Sequence, residues 1–153
     1  MSDYSLTTFG QGGELTQVRY AMTAVDNGET CLGIKAKNGV VIACEKKLSS
    51  PLIDETSIHK VEKACEYMGM TYSGIGPDFQ QFLLKARKDA QIYHSRFMDN
   101  MPPYMMCQQI AGLVQEYTQS GGVRPFGLGL ILAGYDETNG PQIFQLEASG
   151  AYF

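Results

Sequence analysis

Few side chains here are of types that do chemistry unaided, so spacing decides what they are for. Cys31, Cys44, Cys65 and Cys107 are ligand or disulfide candidates. No Cys-x-x-Cys pair brings two thiolates together, and the scatter suggests neither a zinc site nor a disulfide framework. Four reduced thiols, mostly buried and acting as small hydrophobes, are expected. His59 and His94 stand alone, far from any metal-ligand spacing, and are expected at the surface. Gly74-Ile75-Gly76-Pro77-Asp78 lies where a strand gives way to a helix and invites a phosphate-loop reading. That pattern needs its third glycine at Phe79, and no Gly-Lys-Thr follows. A tight turn, with Pro77 or Asp78 opening the helix, is the expectation. No metal or cofactor is implied.

The totals point the same way. A length of 153 residues fits one domain, which by surface scaling buries roughly 68–70% of its unfolded surface. A net charge of −4 gives no basic field for nucleic acid, whose binding depends on Lys and Arg neutralising phosphates. A protein partner is expected instead. The amino terminus lacks a basic stretch followed by an apolar one, and no apolar run approaches the roughly 18 residues of a membrane span. The expectation is a soluble, intracellular chain with no membrane partner.

The elements begin with an arm in which Gly10, Gly12 and Gly13 permit a bent lead-in. From Glu14 to about Asp26, Leu15, Val18, Met22 and Val25 recur at helical spacing and make a narrow apolar stripe. Such a short helix is marginal alone and needs a groove to lie in. Thr30 to Ala36 and Val40 to Lys47 are β-rich runs joined across Lys37-Asn38-Gly39, a strong hairpin signal. With Asn38-Gly39 as the loop, Ala36 lies opposite Val41, Ile34 opposite Ala43 and Leu32 opposite Glu45, on a face apolar until Glu45. Lys46 to Glu55 reads as a loop; Ile58 to Ala64 and Glu66 to Ser73 read as strands. Phe79, Phe82, Leu83, Ala86, Ala90, Tyr93 and Phe97 form the stripe of one core-facing helix. Met106, Ile110, Leu113, Val114 and Tyr117 form that of a second, from about Pro103 to Ser120. Phe126 to Tyr135 suits a buried strand and Gln142 to Ala148 another.

Several of these blocks carry a family resemblance. Thr7-Thr8-Phe9, Gly13-Glu14-Leu15 and Gln17-Val18-Arg19-Tyr20-Ala21 resemble the amino-terminal signature of the alpha-type subunits of the 20S proteasome. Similar blocks follow at residues 33–41, 45–47, 59–61 and 72–78. The most specific is Gln115-Glu116-Tyr117-Thr118-Gln119-Ser120-Gly121-Gly122-Val123-Arg124-Pro125-Phe126-Gly127. The resemblance runs from the arm to Phe153.

The resemblance implies an α+β chain with the Ntn-hydrolase-like four-layer αββα sandwich. It divides the single domain, 1–153, into a gating arm (1–13), an amino-terminal helix (14–27) and a sandwich (30–153). The apolar stop at Ala151-Tyr152-Phe153 reads as a truncation before the last strands and the second helix layer. The uncovered sheet face and edge that this would leave predict a tendency to aggregate. The implied role is a non-catalytic structural and gating subunit of the outer alpha ring, in ubiquitin-dependent and other intracellular protein degradation, in cytoplasm and nucleus. The implied partners are other alpha subunits, beta-ring subunits and the carboxy-terminal tails of regulatory particles. Gate positions map to Asp3, Tyr4, Phe9, Gln11 and Tyr20, and activator-docking positions to Gly13, Arg19 and Lys60.

In the proteolytic beta-type relatives a free amino-terminal Thr attacks the peptide carbonyl and its own α-amine is the base. That position maps to Glu29, with Thr30 next, and Glu45 and Lys60 fall near the supporting acid and lysine. An internal Thr30 carries an amide where the base should be, so activity would require cleavage before Thr30 and would discard the arm and helix. That amino-terminal-nucleophile hydrolase is the alternative reading; a free-standing interaction module using the arm as a peptide ligand is a third. For Glu45 a solvated sheet-end carboxylate is expected, and for Lys60 the bland alternative is a solvent-facing strand lysine. The chain departs from the family pattern at Arg19, usually Glu, and at Gly10-Gln11, usually Ser-Pro. The usual Tyr-Asp or Tyr-Ser pair falls on Ser2-Asp3, with Tyr4 out of register.

Overall fold

The computed structural model describes residues 9–153, which form an α+β chain. In order they give α1 (Thr16–Asp26), β1 (Cys31–Ala36), β2 (Gly39–Cys44), a 3-10 turn at Glu55–Ser57, β3 (Val61–Cys65) and β4 (Met68–Gly74). Then come α2 (Gly76–Phe97), α3 (Pro103–Gln119), β5 (Leu128–Asp136) and β6 (Gly140–Leu146). Strands β3-β4-β5-β6 make one antiparallel sheet in that order, and β1-β2 a separate hairpin. No helix among the described residues is long and apolar enough to cross a membrane.

Alternation along the strands separates the two faces of the large sheet. Met68, Met70 and Tyr72 of β4 and Leu128, Leu130 and Leu132 of β5 point to one side, where they are buried. The stripes on α2 (Phe79, Phe82, Leu83, Ala86) and α3 (Met106, Ile110, Val114) close over them in a single core. Tyr72 stacks on Phe79 at 4.3 Å between ring centroids, and Phe82 meets Phe126 edge-on at 4.5 Å. Each of these large side chains contributes about 1.5–3 kcal/mol by leaving water. The turn between the helices is forced: Met98 takes a left-handed φ of 55° and donates its N–H to the His94 carbonyl, and Pro102 at the N-cap is followed by Pro103 as the first residue of α3.

The other face of the sheet carries α1 and the hairpin. Small residues let both approach closely: a Cβ at Gly129 would meet Val25 of α1 at 2.8 Å, and one at Gly33 would come within 2.3 Å of Ile143 and 3.0 Å of Ile131. Thus Gly33 brings β1 onto β5 and β6. The outward side chains of the hairpin, Leu32, Ile34 and Val41, are exposed.

The hairpin corrects two expectations. Its loop is Lys37-Asn38, so Ala36 pairs with Gly39, Ile34 with Val41 and Leu32 with Ala43, two residues away from the register expected. An even slip returns the same side chains to the same face, so apolar alternation could not distinguish the two registers. That register also sets Cys31 opposite Cys44, and the two form a disulfide rather than remaining free thiols. They stand 13 positions apart in sequence, which is no motif; only the pairing makes them neighbours. Cys65 and Cys107 are free, and burial pushes the Cys107 thiol up to about 11.

Element ends shift modestly. Helix α1 starts at Thr16 rather than Glu14, with Leu15 at its N-cap, and Lys60 precedes β3 instead of lying within it. After β6 the chain doubles back: Phe153 and Gln145 exchange main-chain hydrogen bonds at 2.9 and 3.1 Å.

Candidate functional site

Residues mapped to gate and docking roles fall into two groups. Asp3 and Tyr4 lie outside the described residues. The first group is a compact turn ahead of α1. Gly10 donates its N–H to the Glu14 carbonyl at 2.8 Å and Gly13 donates to Gly10 at 3.0 Å, while Phe9 and Leu15 bridge as in an antiparallel pair. Gly13 has a φ of +76°, which an L side chain would strain. The turn therefore holds Phe9 out with 70% of its surface exposed, and Gln11 at its tip is exposed too. Arg19, one turn into α1, reaches back to Glu14 at 3.5 Å and lies 5.7 Å from the Tyr20 ring centroid. Phe9, Gly13, Glu14, Leu15, Val18 and Arg19 line a cavity of about 330 Å³ with Thr118 and Ser149. A surface pair such as Arg19–Glu14 is worth little in stability, about 0–1 kcal/mol.

The second group surrounds Lys60, which is 7% exposed and is not the solvent-facing strand lysine of the bland reading. Its ammonium donates to Glu29 Oε2 at 2.5 Å and lies 4.2 Å from the Tyr72 ring centroid. Its main-chain carbonyl accepts the Thr71 hydroxyl at 2.9 Å. The hydrogen bond from Lys60 holds the Glu29 carboxyl below its ordinary value, against a smaller opposing effect of burial. Glu29 is delivered there by Gly28, where a Cβ would come within 2.3 Å of Ser73 Oγ and 2.4 Å of the Gly74 nitrogen. Only glycine lets the chain leave α1 along that line. The exit also borders a cavity of about 360 Å³ between α1 and the sheet, lined by Asp26, Gly28, Glu29, Thr30, Ser73 and Glu147, among others.

The groups that could assist a threonine nucleophile are engaged elsewhere. Glu45 pairs with Lys47 at 3.4 Å and is exposed, as expected for a solvated sheet-end carboxylate. Lys60 pairs with Glu29. Thr30 is exposed, and its carbonyl accepts the Glu45 N–H at 2.9 Å as the hairpin closes.

One polar constellation was not picked out from the sequence. Asp78 does not cap α2, whose N-cap is Ile75; it sits in the first turn, buried. Both of its oxygens accept from Arg124, at 2.7 and 2.8 Å, and Oδ2 also accepts the Gly127 N–H at 3.2 Å. The hydrogen bonds to Asp78 raise the Arg124 pKa further. Arg124 falls within the most specific sequence block, which was the available signal; its partner lies 46 residues away. The bracket ties the start of α2 to the segment entering β5, where Gly74, at φ +106°, leaves no room for a Cβ beside the Gly127 carbonyl.

His59 is exposed beside Glu62 at 3.4 Å, and His94 Nδ1 lies 3.2 Å from the Asp99 carbonyl. Among the described residues, no group of three or more His, Cys, Asp or Glu is placed to hold a metal.

A family model described as proteasome subunit matches residues 25–153. Over 150 residues, 98% of this chain, the sequence is 52% identical to proteasome subunit alpha type-2 of Oryza sativa. It is 50% identical to alpha type-2-A of Arabidopsis thaliana and 48% to alpha type-2 of Drosophila melanogaster, each over 98% of this chain. The match covers 63–64% of those relatives, so the chain spans a little under two thirds of their length.

Proposed function

Because this chain belongs to the proteasome subunit family, we propose that it serves as a non-catalytic structural and gating subunit of the outer alpha ring, of the alpha type-2 kind. The observation that carries the non-catalytic part is covalent. Thr30 is joined to Glu29 by an amide, so it has no free amine to act as base, and α1 stands before it. The pairing of Glu45 with Lys47 at the surface supports the same reading.

In this proposal the turn at Phe9–Gly13 belongs to the gate, with Asp3, Tyr4, Gln11 and Tyr20. Arg19 and Gly13 face arriving regulatory particles. Lys60 receives the terminal carboxylate of an activator tail, for which an ammonium is the fitting charge-assisted donor. The fold is the four-layer αββα sandwich, in which a further helix layer would cover Leu32, Ile34 and Val41. Other alpha subunits and beta-ring subunits are the standing partners, in cytoplasm and nucleus.

Native mass spectrometry of the tagged protein from its own cells tests the proposal. Co-purification with other alpha subunits and a beta ring, with the chain uncut between Glu29 and Thr30, is the expected result. A chain that never enters such a particle, or that is cut before Thr30 and esterified there by a substrate analogue, overturns it.

A further inference from the structure

The lysine assigned to an incoming carboxylate already holds one. Glu29 Oε2 is 2.5 Å from Lys60 Nζ, and the aromatic face of Tyr72 lies 4.2 Å from the same ammonium. The two members of the pair are unequally covered: the Lys60 side chain is 8% exposed and that of Glu29 28%. The carboxylate is thus the more solvent-facing partner, and the ammonium lies behind it. A second carboxylate at the same nitrogen would either crowd a like charge within a few ångströms or displace the first. Glu29 also has somewhere to go. It lies in the connection between α1 and β1, and the neighbouring cavity of about 360 Å³ is lined in part by Glu29 itself.

We propose that Glu29 is an internal competitor at Lys60, a carboxylate that a docking tail must displace, and so a residue that sets how strongly this pocket discriminates for a terminal carboxylate. This rests on the reading of Lys60 as the carboxylate receiver. Gly28 gives the device its fixed geometry, since the chain can pass Ser73 and Gly74 only without a Cβ there and must then present residue 29 toward Lys60. Gln at position 29 keeps the shape and removes the charge that competes.

The test uses assembled particles carrying the full subunit. The probes are synthetic decapeptides copying the carboxy-terminal tails of the cognate regulatory particle, each made with a free carboxylate and with a terminal amide, and affinities are read by fluorescence polarisation. Glu29→Gln should tighten the free-carboxylate peptide about tenfold, the scale of one charge-assisted hydrogen bond, and leave the amide unchanged. Lys60→Gln should bring the free-carboxylate peptide down to the level of the amide, and the double variant should match Lys60→Gln. If Glu29→Gln leaves the affinity unchanged or weakens it while Lys60→Gln abolishes the preference, Glu29 is no competitor and the reading of Lys60 stands. If Lys60→Gln leaves the preference intact, the reading of Lys60 falls with it. Glu29→Ser is the second variant should Glu29→Gln fail to assemble, with the same outcomes expected.

Discussion

On one face of the β3-β4-β5-β6 sheet, α2 and α3 bring Phe79, Phe82, Met106 and Ile110 to almost complete burial. On the other, the β1-β2 hairpin covers Ile131 and Ile143 with its inner side and leaves Ile34 and Val41, each 65% exposed, on its outer side. Both faces use apolar alternation, and the sequence pattern of the hairpin is as regular as that of the sheet. The difference is therefore not in the local code. It lies in whether a second element is present to exclude water from both sides of a strand, since area removed from water is what apolar side chains convert into stability.

The sharpest way to break this comparison is to remove equal amounts of side chain from the two faces. Ile110→Ala, in the helix-covered core, should cost about 2–5 kcal/mol by urea denaturation. An equal cost for Ile34→Ala would show that the hairpin face is covered after all. Next in size is the Asp78 bracket. Asp78→Ala leaves Arg124 and the Gly127 N–H without their acceptor and should cost about 2–3 kcal/mol. Arg124→Lys should recover part of any loss caused by Arg124→Met, because a lysine restores charge but not the forked geometry.

A smaller effect separates Glu29 from both. Its carboxyl is held below its ordinary value of 4.5, so it binds a proton less readily folded than unfolded. Its stabilising contribution is present above that ordinary value and disappears as the pH falls through the lower, folded one. Stability measured from pH 7 to pH 3 should show wild type and Glu29→Gln converging at the acid end. Divergence at the acid end would reverse the sign. In unreduced protein, Cys31 and Cys44 should resist iodoacetamide until a reductant is added, whereas Cys65 should react without it. The smallest expected effect is at the outer hairpin. Ile34→Lys should move stability by no more than about 0.5 kcal/mol while reducing light scattering from self-association.

What could be read from the sequence follows the same division. The stripes of α2 and α3 and the strands they cover were legible because a long periodic run has only one face to bury. The hairpin itself was legible, but its register was not, because a slip of two preserves the inward and outward sets. The disulfide depended on that register and was hidden with it. At the candidate site, Lys60 was reached through resemblance, yet its partner Glu29 was seen only as the residue standing at the nucleophile's position. Residues 31 apart in sequence become an ion pair through the exit angle that Gly28 permits. Locally, Pro77 or Asp78 fits a helix opener, and Pro77 does stand in the first turn of α2; the partner of Asp78, Arg124, lies beyond any local window.

The missing Cβ at Gly33 fixes the clearance between the hairpin and the sheet beneath it. Even one methyl group there would act as a wedge against Ile143 and Ile131, lifting β1 before it could settle. The gap between these layers is therefore cut to a single thickness, and whatever presses on the outside of the hairpin finds no slack underneath.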